Sequence, residues 1–165
     1  MNALAVKGLC KRYPAFSLEN VNFSVPEGAV MGFIGRNGAG KSTTLKALLG
    51  LVHPDAGEVT VLGKSFREEE RYIKERIGVV LGGIDFYPKK KLRVITDVTR
   101  RFYDNWDEDK YRHYLRLFAI DEEKRVDQLS SGMKVKYMIA LALSHNARLL
   151  ILDDLTPQAL RASSP

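Results

Sequence analysis

The chain has 165 residues, 45% hydrophobic and 28% charged, which is enough for one domain with a real core. No run approaches the ~18 apolar residues of a membrane span, no charged-then-apolar leader opens the chain, and a single cysteine, Cys10, excludes an internal disulfide and suits a reducing cytoplasm. The net charge of +6 invites a nucleic-acid reading, but the basic residues are dispersed, and the one tight run, Lys89-Lys90-Lys91 with Arg93, reads as a solvated face.

Residues 3–9 and 18–25 are expected as strands, because Val21, Phe23 and Val25 alternate cleanly. Between them, Lys11-Arg12-Tyr13-Pro14 reads as a loop carrying an aromatic. Pro26-Glu27-Gly28 signals a turn. Val30-Met31-Gly32-Phe33-Ile34 is a short apolar run of the kind that forms a buried strand. It leads into Gly35-Arg36-Asn37-Gly38-Ala39-Gly40-Lys41-Ser42-Thr43, which matches the phosphate-binding pattern G-x-x-x-x-G-K-[ST]. A triphosphate needs many donors and little bulk, and the glycines at 35, 38 and 40 let successive N–H groups turn toward phosphate oxygens. Lys41 is placed to reach the β- and γ-phosphates as a point charge. The Ser42 hydroxyl can ligate Mg²⁺, and the next helix presents its positive N-terminus to the same anion. Leu45, Leu48, Leu49 and Val52 give that helix one apolar face.

Further on, His53-Pro54-Asp55-Ala56-Gly57 reads as a loop before a strand over 58–62. Ser65-Phe66-Arg67-Glu68 is a capping-box pattern that predicts a helix over about 66–76, with Glu70 and Lys74 as an i,i+4 pair. Residues 77–81 read as a second buried strand, broken by Gly82-Gly83. From 94 to 145 the pattern is helical. Val94, Val98 and Phe102 share one face; Tyr111, Tyr114, Leu115 and Phe118 share another, behind Asp107 as N-cap. These aromatics, with Trp106, read as local core rather than a base-stacking platform. A last helix, about 133–144, is apolar almost all round from Tyr137 to Leu143 and is expected to be buried. Leu149-Leu150-Ile151-Leu152 is a third buried strand, ending at Asp153. An acid in that position suits Mg²⁺, held through water beside a phosphate loop. His53, His113 and His145 are each expected at the surface.

Three motifs in this order resemble the ATP-binding subunit of an ABC transporter: the phosphate loop at 35–43, the signature-like Leu129-Ser130-Ser131-Gly132-Met133, and the acidic strand end at Asp153. The resemblance runs from residue 1 to about 154. It implies an α/β fold of the P-loop nucleoside triphosphate hydrolase type, with an N-terminal antiparallel β subdomain and a helical subdomain over about 84–132. By the same resemblance Tyr13 stacks on adenine, and Gly35, Arg36, Asn37, Gly38, Ala39, Gly40, Lys41, Ser42 and Thr43 hold ATP. Ser42 and Asp153 serve Mg²⁺. Ser130, Ser131, Gly132 and Met133 touch the ATP of a second ATP-binding subunit in a head-to-tail dimer. Residues of about 84–93 receive a transmembrane permease subunit. The implied place is the cytoplasmic face of a membrane, with no nucleic acid as partner.

The chain departs from the family pattern at four places. Gly82 stands where the family has a glutamine. Ser131 and Met133 replace a glycine and a glutamine of the signature. Asp154 replaces the catalytic glutamate and, one methylene shorter, leaves a base roughly 1 Å short of its water. After Asp154 the family continues to a strand ending in a histidine, whereas this chain reads on as an unpatterned stretch from Leu155 to Pro165. In the family that strand lies between the phosphate-loop strand and the Asp153 strand. Residues 1–154 are therefore expected to form an incomplete domain with a C-terminal part missing, 155–165 a tail outside the family, and the chain a truncated product or fragment. Three function classes fit these features: an ATP-hydrolysing transporter subunit, a nucleotide-binding or regulatory module without turnover, and a soluble relative acting on DNA or the ribosome. Those last relatives carry long insertions or tandem copies, and this chain has neither.

Overall fold

A computed structural model describes residues 1–36, 38–81 and 87–153. The chain divides into two compact units, Met1–Ile73 and Lys74–Pro165. Among the described residues no helix is long and apolar enough to cross a membrane.

The first unit is built on an antiparallel sheet. Its strands are β1 (Asn2–Tyr13), β2 (Phe16–Pro26), β3 (Ala56–Val61) and β4 (Lys64–Ser65), in the order β2-β1-β3-β4. Leu4, Val6 and Leu9 of β1 are buried, and Leu4 and Val6 lie opposite Val25 and Phe23 of β2. The expected strands are thus present but longer. Lys11, Arg12 and Tyr13 complete β1 instead of forming a loop, because they continue the ladder with Leu18, Ser17 and Phe16. Helix α1 (Lys41–Leu48) buries Thr44, Ala47 and Leu48. Helix α2 (Phe66–Lys74) comes directly after Ser65 as expected but bends at Glu69, where φ is −130° and ψ 37°. The Ser65 hydroxyl accepts from the Arg67 amide at 3.3 Å, one residue short of a capping box.

The apolar run at 30–34 does not form the buried strand its composition predicts. It has no strand assignment, and Val30 and Ile34 are 99% and 96% exposed. A strand exists through its ladder. Among the described residues no strand pairs with this run, so its side chains have nothing to pack into, Phe33 excepted, whose ring lies 5.5 Å from that of Phe23.

In the second unit, β5 (Ile77–Leu81) pairs in parallel with β6 (Leu149–Asp153), from Ile77 opposite Leu149 to Leu81 opposite Asp153. Both strands stand where their short apolar runs predict them. Helix α3 (Leu92–Thr99) continues into a 3₁₀ turn at Arg100–Phe102. Helix α4 (Glu108–Leu117) is capped by the Asp107 carboxylate, which accepts from the Lys110 amide at 2.9 Å as expected. Helix α5 (Ser131–Leu143) lies against β5. A Cβ at Gly78 would come within 2.9 Å of the Ala142 carbonyl oxygen, so only glycine permits this approach.

The core of this unit gathers Leu92, Ile95, Tyr111, Leu115, Tyr137 and Leu141, with Trp106 and Phe118 packed against it. Three hydroxyls inside it form a directed chain. Tyr137 donates to the Leu92 carbonyl at 3.0 Å, so Thr96 donates to Tyr137 at 2.8 Å and Tyr111 to Thr96 at 2.7 Å. Burial raises both phenols above their ordinary pKa, which keeps these protons in place. Two expectations need correcting. Val94, Val98 and Phe102 do share one face, but it points to solvent, so Phe102 is not local core, and the inward face of α3 carries Leu92, Ile95 and Thr96. His145 is no surface residue: it is 2% exposed, with Nδ1 3.2 Å from the Leu141 carbonyl, Nε2 3.0 Å from the Ile77 carbonyl, and its ring stacked on Tyr103.

Candidate functional site

In the first unit the phosphate-loop motif runs from the end of the 29–36 stretch into α1. The Ala39 amide donates to the Arg36 carbonyl at 3.1 Å and closes a turn. Gly40 then takes φ 91°, a left-handed conformation that places it as N-cap of α1. Its requirement for glycine is twofold. A side chain strains that φ, and a Cβ would lie 2.7 Å from Leu18 Cδ1 and 2.9 Å from Phe16 Cζ. Thr44 fastens the first turn of α1, its amide and hydroxyl both donating to the Gly40 carbonyl, at 2.8 and 2.9 Å.

The Lys41 ammonium folds back onto the loop and donates to the carbonyls of Gly35 and of Arg36, the latter at 2.9 Å. The amides of Lys41, Ser42 and Thr43, in the first turn of α1, have no acceptor within the helix. Ser42 is exposed, as are Gly35, Arg36, Gly38 and Ala39. A cation, first-turn donors and a side-chain-free Gly40 suit an anion with several oxygens, so the residues present fit a nucleotide triphosphate. Asn37 lies outside the described residues.

Tyr13 ends β1 with its side chain exposed and lies directly opposite Phe16 of β2. Phe16 is also the ring that packs on Gly40, so one hairpin carries the expected base-stacking residue and braces the phosphate loop. The strand end is held from its other side. The Asp55 carboxylate accepts from Lys11 Nζ at 2.8 Å and from the Arg12 amide at 2.7 Å, and the Lys11 ammonium lies 5.8 Å from the Tyr13 ring centre. The hydrogen bond from Lys11, then that from the Arg12 amide, lowers the Asp55 pKa. Phe16, Leu18, Thr44 and Asp55 were not legible as site residues. The one available signal was that a two-residue turn at Pro14-Ala15 sets residues 13 and 16 side by side.

In the second unit the signature-like stretch opens α5. Ser130 is exposed and caps the helix, its hydroxyl accepting from the Met133 amide at 3.2 Å. Ser131 is exposed and Gly132 buried. Met133, standing where the family has glutamine, is partly buried and packs against the core of this unit. Asp153 closes β6, half-buried and opposite Leu81. Asp154, Gly82 and positions 84–86 lie outside the described residues, as does the tail from 155.

A family model described as ABC transporter matches residues 18–157. The chain belongs to the ABC transporter family. Among its relatives, the bacitracin transport ATP-binding protein BcrA of Bacillus licheniformis is 34% identical over 142 residues, 85% of this chain and 46% of that protein. The Nod factor export ATP-binding protein I of Burkholderia orbicola is 36% identical over 159 residues, 90% of this chain and 52% of that protein. The chain thus spans about half the length of these ABC relatives. Among solved structures, an ATP-binding subunit of an ABC transporter superposes with a TM-score of 0.80 at 30% identity, covering 96% of this chain and 71% of that one. CbiO1 of Clostridium perfringens, part of the cbiONQ ABC transporter complex, gives 0.74 at 25% identity over 98% of this chain and 70% of its own. The α/β fold expected from the motifs is therefore the fold of ABC ATP-binding subunits.

Proposed function

We propose that this chain is the ATP-binding part of an ABC transporter and that residues 35–43 hold the triphosphate of Mg·ATP. The observation that carries the reading is the loop itself: Lys41 gathered against the Gly35 and Arg36 carbonyls, directly before the free first-turn amides of α1. On binding, Lys41 exchanges two uncharged carbonyl acceptors for anionic phosphate oxygens, which adds a direct attraction between opposite charges. Tyr13 offers its exposed ring to the adenine. Ser42 would ligate Mg²⁺ and Asp153 would hold it through water, the ion supplying positive charge that offsets the phosphates. Ser130, Ser131, Gly132 and Met133 turn the N-terminus of α5 toward the nucleotide of a second copy. A permease subunit docks on residues of about 84–93 at the cytoplasmic face of the membrane and sets the transported substrate.

The parent chemistry is water attack on the γ-phosphate. A second reading, binding without turnover, is favoured by Asp154 in place of glutamate and Gly82 in place of glutamine. Thermal unfolding with and without Mg·ATP tests the common part. A ligand at 100 times its Kd stabilises the fold by about 2.7 kcal/mol, and Lys41→Ala is expected to abolish that shift. An unfolding midpoint that ignores Mg·ATP sinks the proposal. Steady-state phosphate release at saturating ATP then separates turnover from binding alone.

A further inference from the structure

The basic run is exposed, as read from the sequence, and it is also paired with its own chain. Residues 88–93 lie antiparallel to residues 122–127. The amides of Asp127 and Val126 donate to the carbonyls of Pro88 and Lys90 at 3.0 and 3.2 Å. Those of Leu92 and Arg93 donate to the carbonyls of Lys124 and Glu122, both at 3.0 Å, and Lys91 bridges Arg125. Side chains close over this ladder. Lys89 reaches Asp127 at 3.0 Å, and Lys91 and Arg93 converge on Glu123 at 2.7 and 3.0 Å.

The 122–127 segment leads straight into the signature turn. Residues 126–128 form one 3₁₀ turn, fastened where Gln128 Oε1 accepts from the Arg125 amide at 2.8 Å. Leu129, buried, comes next, and Ser130 caps α5. The ladder, which includes the buried Val126, ends three residues before the turn at 130–133, and the buried Leu129 anchors the chain between them. A second tie runs deeper: Leu92, whose amide belongs to the ladder, accepts at its carbonyl from Tyr137 of α5.

We propose that residues 88–93 form a clamp on 122–127, and that Lys89, Lys91 and Arg93 are positioning residues that set the orientation of the signature turn at 130–133. This rests on the reading of that turn as a contact to a second copy's nucleotide. The clamp gives a segment within the expected permease site, about 84–93, a short covalent and hydrogen-bonded route to the turn. Its strength is electrostatic and on the surface, so each pair is small alone and the shared Glu123 makes Lys91 and Arg93 act together. Lys90 makes none of these pairs, which divides the lysine run into clamp and bystander.

Hydrogen exchange by mass spectrometry on the full chain tests this. In Lys91→Glu, amides of 122–127 and of 129–133 are expected to exchange roughly fivefold faster than in wild type, the size of an exposed ion pair. Lys91→Arg keeps the wild-type rate, and Lys90→Glu changes nothing. The unfolding midpoint of each variant shows whether it has simply lost its fold; wild type in about 1 M salt, where the pairs are screened, gives the same result with no substitution. Unchanged exchange at 129–133 while 122–127 opens overturns the proposal, since the clamp would then be local. Association of the chain in Mg·ATP, measured by sedimentation, is expected to weaken in Lys91→Glu with the Kd for Mg·ATP unchanged. Wild type that binds Mg·ATP but does not associate removes the reading of the signature turn, and the exchange result still decides the clamp.

Discussion

At Gly57 the backbone takes φ 90°, and a Cβ there would lie 2.6 Å from Leu9 Cα and closer still to the Gly8 carbonyl. Backbone cannot swing aside as a side chain does. Gly57→Ala is therefore expected to cost about 3 kcal/mol, measured by urea unfolding. Gly63, with φ 76° but open space around its Cβ position, isolates the strain alone, and Gly63→Ala is expected to cost about 1 kcal/mol. Equal costs would mean that the approach of β3 to β1 relaxes freely. Both glycines are plain in the sequence, but nothing local tells which of them meets a neighbouring strand.

Thr96 shows what an element needs beyond its amphipathic pattern. It is buried on α3 and links Tyr111 of α4 to Tyr137 of α5. Thr96→Val preserves shape but leaves two buried phenols each short of a partner, an expected cost of about 2 kcal/mol. Thr96→Ser keeps the hydroxyl and loses one methyl. Stability restored by serine but not by valine would assign the loss to the hydrogen bonds; equal losses would assign it to packing. The aromatic face of α4 and its Asp107 cap come from local spacing. The inward face of α3 does not, because Val94, Val98 and Phe102 are as helically spaced as Leu92, Ile95 and Thr96, and only what packs against the helix chooses between the two faces.

Charge acts across whole units. Asp55, Glu123 and Asp127 all have lowered pKa values, first through hydrogen bonds from Lys11, Lys91 and Lys89 respectively, with Arg125 adding to the effect on Asp127. A carboxylate whose folded pKa lies below its unfolded value contributes stability that is complete above the unfolded pKa, about 4, and is lost as pH falls through the folded one. The unfolding midpoint is thus expected to hold between about pH 7 and 5 and to fall below about pH 4, less steeply in about 1 M salt. These groups are exposed and the effect is modest. A midpoint already falling at pH 6 would point instead to a group outside these three pairs. The ion pairs also explain why a net charge of +6 is a poor guide to partners here: the tight basic run is largely engaged with its own chain.

The signature turn was legible only through the resemblance to the family, whereas short-range spacing was enough to read the phosphate-loop motif, the two short strands at 77–81 and 149–153 and the Asp107 cap. Each depends on residue types within a few positions of one another, where covalent geometry does the placing. Features that depend on distant chain emerged only on folding. The apolar run at 30–34 has no ladder among the described residues, His145 is buried between the Ile77 and Leu141 carbonyls, and Lys89 pairs with Asp127 across 38 positions. Burial and charge pairing belong to the space between segments, and no residue carries in its own neighbourhood the identity of what will pack against it.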